Sequence, residues 1–179
     1  MPYSCRRDGR HQRGGMIEYP IGRSGQALIF TDPVVETFSK HRQLRFWQRE
    51  AGGQLFGRFD GSRTEVLEAT GPRRTDRRTR TSYVPDRRAE QREIDDRFAR
   101  GLHFIGDWHS HPEKIPVPSF RDVSSLNDTV RRSSHSMLAF VLVIVGQLPA
   151  PEGLHVSIFH GDGASLELKP VRRLREDAL

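Results

Sequence analysis

His109 and His111 stand one residue apart in the stretch GDWHSHPEKIPVPSFRD, with Ser119 and Asp122 behind them. If a strand carries both histidines, its two-residue period turns both imidazoles to one face. Pro112, Pro116 and Pro118 then bend the chain back, which lets Asp122 reach the same point in space. Two imidazole nitrogens and a carboxylate oxygen suit a borderline ion such as zinc. They leave a fourth tetrahedral position open for water, the arrangement of a catalytic zinc rather than a structural one. Zinc held there would draw the pKa of its water towards ~7 and polarise a substrate carbonyl. The chemistry that follows is hydrolysis of an amide, and it needs a base to move the water's proton to the leaving amine. On residue type alone Glu36, Glu50, Glu65 and Glu68 are all open candidates.

The neighbours of the two histidines sort by alternation. Ser110 and Trp108 face away from the ligands, so Ser110 is not a nucleophile and Trp108 belongs in the core. Asp107 shares the ligand face and is a candidate to hold an imidazole N–H. Ser119 can donate its hydroxyl to the oxyanion of a tetrahedral intermediate. It can equally cap a following helix, with Asp122 three residues on. The remaining histidines (His11, His41, His103, His135, His155, His160) lack ligand spacing.

His-x-His, seven residues, a serine, two residues and an aspartate: this pattern resembles the JAMM motif of JAB/MPN-domain zinc metallopeptidases, over roughly Gln26 to Leu168. That family carries a glutamate well upstream, near the end of the first helix. The matching segment here is EAGGQLFG, so the resemblance selects Glu50 from the four candidates. The strings GDWHSHP and PSFRD look closer still to bacterial JAB proteins of the Prok-JAB type, found in antiphage defence systems built on cGAS-like nucleotidyltransferases.

The resemblance implies Zn2+ on His109, His111 and Asp122, with Glu50 and Ser119 as catalytic residues. It implies as substrate the tail of a ubiquitin-like protein or of a conjugated nucleotidyltransferase, with E1/E2-like enzymes in the same pathway. Two other readings are a JAB peptidase that processes a sulfur-carrier protein and a non-catalytic MPN scaffold associated with nucleic acid. The complete ligand set speaks against the scaffold.

These residues need elements to position them. Gln26 to Phe30 reads as a first strand, and Pro33 as a first helical position after Thr31-Asp32. Val34, Val35, Phe38, Leu44, Phe46 and Trp47 form a helical stripe to about Arg49, with Gly52-Gly53 ending the helix. Gln54 to Phe59 and Thr64 to Ala69 form a hairpin turning at Asp60-Gly61. Asp86 to Arg100 is a second helix, with Ile94 and Phe98 on its buried face and Gly101 past its end. His103 to His109 is the ligand strand, Ser119 to Arg132 a helix, and Leu138 to Val145 a central strand. Leu154 to His160 and Ala164 to Leu168 close the sheet. This order is an α/β layout with a curved mixed sheet flanked by helices, as expected of a single JAB/MPN (cytidine-deaminase-like) domain over residues 16–170. Residues 1–15 read as a disordered basic tail and 171–179 as a C-terminal tail.

Composition sets the outer limits. A chain of 179 residues suits one domain with a real core. The longest apolar run, Met137 to Gly146, is far short of a membrane span, so no membrane is expected. The basic N-terminus has no apolar stretch of the secretory kind. The single cysteine, Cys5, rules out an intramolecular disulfide and fits a reducing cytoplasm. The formal net charge is +6, carried by 26 Arg and 3 Lys. Gly71 to Arg92 holds eight Arg against Asp76, Asp86 and Glu90, a net of +5. With only Tyr83 interleaved, that run is no single-strand stacking platform, and nucleic acid is not expected as a partner.

Overall fold

The computed structural model describes residues 16–119, 122, 139–160 and 164–174. The expected N-terminal tail and all but Ser119 and Asp122 of the expected helix to Arg132 lie outside those residues. In chain order the elements are β1 (Met16–Ile21), β2 (Gln26–Phe30), α1 (Asp32–Lys40), β3 (Gly52–Asp60), β4 (Arg63–Ala69), β5 (Arg77–Arg78), β6 (Tyr83–Val84) and α2 (Arg87–Ala99). They continue with β7 (His103–Ser110), β8 (Ala139–Val145), β9 (Leu154–His160), β10 (Ser165–Leu168) and β11 (Arg172–Leu174). Among the described residues they build a mixed nine-stranded sheet in the order β10-β9-β8-β7-β3-β4-β2-β1-β11, beside the small β5–β6 hairpin. The α/β architecture with a curved mixed sheet is as expected.

Strand β8, AFVLVIV, shows why the sheet has two packed faces. Val141, Val143 and Val145 join the main core with α1 residues Val34, Val35 and Phe38. The alternate residues Phe140, Leu142 and Ile144 form a second cluster with Phe159. A strand covered on both faces reads as a continuous apolar run. Next to it, β7 carries an irregularity: Leu55 of β3 pairs with Gly106 and Phe56 with Phe104, which leaves Ile105 as the extra residue of a bulge. The bulge resets the alternation. Ile105 and Trp108 both enter the main core, while Asp107 and His109 fall beside Leu142 and Ile144 on the other face.

Several expectations are corrected. Helix α1 stops at Lys40, not at Arg49, and Phe46 and Trp47 are 75% and 63% exposed. The cause is Gln43, whose buried amide donates to the carbonyls of Gln48 (3.2 Å) and Arg80 (2.9 Å) and folds the chain into an irregular turn. Gly52-Gly53 therefore opens β3 instead of closing a helix.

Helix α2 begins where expected, with the Asp86 carboxylate capping the amides of Arg88 and Ala89. Its buried residue is Glu90, however, and Phe98 is 66% exposed. The helix docks through ion pairs, Arg97 with Glu68 at 2.9 Å and Arg73 with Glu93 at 2.5 Å, rather than through an apolar stripe. The arginine-rich segment, expected as a loop, contains the β5–β6 hairpin. Two further strands escaped sequence reading, β1 and β11. They pair with each other, so the sheet extends past residue 170.

Candidate metal centre

Strand β7 delivers the first ligand. His109 sits opposite Gly52 of β3 and beside Ile144 of β8, and a methyl group at Gly52 would stand 2.5 Å from the Tyr83 ring. Only glycine leaves room there for the aromatic wall of the site. One residue on, Ser110 points the other way as expected. Its amide donates to the Ala51 carbonyl at 2.7 Å, and its hydroxyl accepts the Ala51 amide at 3.0 Å while donating to Gln43. This exchange fastens the residue after Glu50 to the residue between the two histidines. His111 follows as the strand ends, with its amide on the Val145 carbonyl at 2.9 Å.

The proline-bearing loop then turns across the β8–β9 connection. Gln147 and Leu148 donate their amides to the carbonyls of Glu113 (2.7 Å) and Lys114 (3.1 Å). At the far side Ser119 and Asp122 exchange bonds: the Ser119 amide donates to the Asp122 carboxylate at 2.6 Å, and the Asp122 amide to the Ser119 hydroxyl at 3.3 Å. That reciprocal pairing is a capping box. It also leaves the second carboxylate oxygen of Asp122 facing His109.

Two imidazole nitrogens and the two oxygens of one carboxylate converge. His109 Nε2 lies 3.1 Å from His111 Nε2 and 3.1 Å from Asp122 Oδ1, and His111 Nε2 lies 3.5 Å from Asp122 Oδ2. Ligand atoms held tetrahedrally at zinc bond lengths sit about 3.3 Å apart. The spacing therefore fits a small ion with a nitrogen-nitrogen-oxygen donor set. Electrostatics agree with the geometry. Burial pushes the Asp122 carboxyl up, but the His109 hydrogen bond and charge and the Ser119 bonds outweigh it and hold it well below the usual range. Burial and the neighbouring His109 push the His111 pKa down, so its ring is neutral near pH 7, as a ligand must be.

The three ligands line a cavity of about 420 Å³ together with Glu50, Glu113, Ser119, Asp107 and Glu90. Glu50 stands in the irregular stretch before β3 rather than at a helix end, and is 6% exposed. Burial first, and Asp122 and Glu113 next, push its carboxyl up to about 7 against the opposing pull of His109. A carboxylate in that range can accept and return a proton near neutrality. Asp107 lines the cavity, but no hydrogen bond joins it to either imidazole among the described residues, and its Oδ1 has no partner there. Glu113, two residues after His111, stands nearer to that role, with Oε2 3.8 Å from His111 Nδ1. Sequence reading passed over Glu113 and Gln43. Glu113 could have been flagged by its two-residue offset from His111, whereas Gln43 carries no local signal.

Residues 31–158 match the family described as prokaryotic homologs of the JAB domain. A Pseudomonas aeruginosa protein named CD-NTase/cGAS isopeptidase is 33% identical over 80% of this chain and 90% of its own length. An Escherichia coli protein of the same name is 32% identical over 55% of this chain, and the match spans 65% of that relative. The solution structure of a Desulfitobacterium hafniense protein superposes with a TM-score of 0.55 at 22% identity, covering 78% of this chain and 87% of the other. This last likeness concerns the fold alone.

Proposed function

The chain belongs to the family of prokaryotic JAB-domain homologs, and from that premise we propose that it is a zinc-dependent isopeptidase. The observation that carries the proposal is the convergence of His109, His111 and Asp122 on one point, in a cavity that Glu50 also lines. When bound there, zinc supplies Lewis acidity towards a carbonyl and acidifies water at its open position. Glu50 takes a proton from the attacking water and hands it to the departing amine as the C–N bond breaks. Ser119 donates its hydroxyl to the oxygen on which negative charge gathers. The mutual bonds of Ser119 and Asp122 keep the oxyanion donor and the ligand in one rigid unit.

The substrate class we infer is an amide that joins the C-terminal tail of a cGAS-like nucleotidyltransferase, or of a ubiquitin-like protein, to an amine on a target. E1/E2-like enzymes would form that bond and this protein would reverse it. The name carried by the Pseudomonas and Escherichia relatives supports the nucleotidyltransferase version. Ile115 and Val117, both exposed on the loop between His111 and Ser119, offer apolar contacts to such a tail.

Elemental mass spectrometry of the purified protein, beside a His109→Ala/His111→Ala variant, tests the centre. We expect about one zinc per chain, lost in the variant. Incubation with a nucleotidyltransferase-tail conjugate should release the free amine only from the metal-loaded protein. Absence of metal in both proteins after zinc is supplied would sink the proposal.

A further inference from the structure

The arginine-rich segment is the one prominent motif that the metal centre leaves unused; most of its arginines are exposed, but Arg73 and Arg78 are half-buried and turned inward. Arg73 is anchored at the base of the β5–β6 hairpin. Its guanidinium grips Glu93 with Nε at 2.9 Å and Nη2 at 2.5 Å, and Nη2 also reaches Gln54 of β3 at 3.2 Å. Asp76 closes the same base by accepting the amides of Arg73 (2.6 Å) and Asp86 (2.9 Å) and the Tyr83 hydroxyl (3.1 Å). At the tip the Thr79 amide donates to the Ser82 carbonyl at 2.9 Å, and the Arg80 carbonyl accepts the buried amide of Gln43. The hairpin is thus bolted to β3, to α2 and to the turn that precedes Glu50.

Its contact with Glu50 is direct. Glu50 belongs to neither helix nor strand, so no ladder holds its backbone. Two successive hairpin residues do so instead. The Glu50 amide donates to the Thr79 carbonyl at 2.8 Å, and the Glu50 carbonyl accepts Arg78 Nε at 2.5 Å. Arg78 Nη2 reaches the Arg49 carbonyl at 3.4 Å as well. Guanidinium donates in a fixed planar fork, so it sets the orientation of the peptide it grips. The Thr79 bond can form only when the hairpin is in place.

We propose that Arg78 is a positioning residue for Glu50, and that the β5–β6 hairpin is the clamp that keeps this carboxylate at the wall of the metal cavity. The assignment rests on the reading of Glu50 as the base. It gives Arg78, within the arginine run, a role in catalytic geometry. A shift of an ångström in a catalytic group lowers the rate about a hundredfold, which sets the scale of the effect.

Two measurements on the full chain test it. Amide hydrogen exchange on the metal-free protein should show the Glu50 amide protected, and Arg78→Ala should lower that protection at least about tenfold while the β7 amides keep theirs. Kinetics on a nucleotidyltransferase-tail conjugate should show kcat of Arg78→Ala reduced about tenfold to a hundredfold, with KM and zinc content unchanged. Added guanidinium ion should restore part of the loss, and Arg78→Lys should retain more activity than the alanine variant. In a Glu50→Gln background Arg78→Ala should cost nothing further, because it acts through the group already removed. A Glu50 amide unprotected in the parent protein, or losses that add in the double variant, would overturn the assignment. Wild-type kcat in Arg78→Ala beside an inactive Glu50→Gln would overturn it alone. Full activity in Glu50→Gln would instead bring down the underlying reading.

Discussion

Ser119 serves two demands with one oxygen. Its hydroxyl accepts the Asp122 amide at 3.3 Å, and a cap of that kind is worth ~1 kcal/mol of stability. Its proton bonds to the Asp122 carboxylate; turned to the cavity instead, it would be an oxyanion donor of the kind worth ~2.7–4 kcal/mol of barrier. Ser119→Ala separates the two. We expect kcat/KM to fall about 10²–10³-fold while the melting temperature drops only ~2–4 °C; a loss confined to stability would leave Ser119 a cap. Glu50 lends itself to a pH experiment. As a base it must be ionised, so kcat/KM should decline as pH falls through its pKa. That pKa is pushed up to about 7 in the metal-free protein and is drawn lower by a bound dication. Glu50→Gln should abolish this acid limb and cost about 10²–10⁴-fold in rate without loss of metal; a limb that survives would point to another group. All three are candidates that the sequence offered, Ser119 and Asp122 by spacing and Glu50 through the family resemblance. Residue type alone left Glu50 among four glutamates, because 59 residues separate it from His109.

Among the elements, β7 matters most, and Gly106 lets it lie close against β8. A methyl group there would lie 1.9 Å from the Val141 carbonyl oxygen, in the backbone of the next strand. No rotamer change relieves such a contact. Gly106→Ala should destabilise the protein by ~1–3 kcal/mol and weaken zinc binding, since β7 must move relative to β8 where His109 projects. Thermal denaturation with zinc titration checks this; an unshifted melting curve would mean that the strands part freely. The sequence pattern located β7, β8, β9 and the β3–β4 hairpin, all of which alternate or run apolar without interruption. It failed at α1, where Leu44, Phe46 and Trp47 continue a helical stripe yet point to solvent. The buried amide of Gln43 finds its partners in Ser110, Gln48 and Arg80. Two of those three lie far along the chain, so no local window reveals why the helix stops.

For the whole molecule, formal charge is a poor guide to surface chemistry. Arg73 and Arg97 are turned inward to Glu93 and Glu68, so the number of arginines overstates the free cations, although the net +6 is unchanged by such pairs. The interior also holds an acidic pair. Burial pushes the carboxyls of Glu90 and Asp107 up, each above its ordinary value, against the attraction of Arg87 and Arg73. The folded chain therefore holds protons that the unfolded chain releases. The stability tied to that pair is complete below the ordinary carboxylate range and is lost as pH rises through the raised folded values. In urea denaturation of the metal-free protein, Glu90→Gln should gain on the parent at pH 8 and show no advantage at pH 5. The reverse order would mean that the arginine attractions outweigh burial.

Sequence by itself determined the candidate ligand set and the identity of most strands, because both rest on short-range periodicity: two residues per strand repeat, and a capping box closed within four positions. Only the tertiary structure decided how the base is held, which arginines face inward and where α1 ends. Each of these turns on a hydrogen bond or ion pair whose partners lie about 20 or more residues apart, from Gln43 to Arg80 and Glu50 to Arg78 to Arg73 and Glu93. Such bonds exist only once the sheet has brought the chain together.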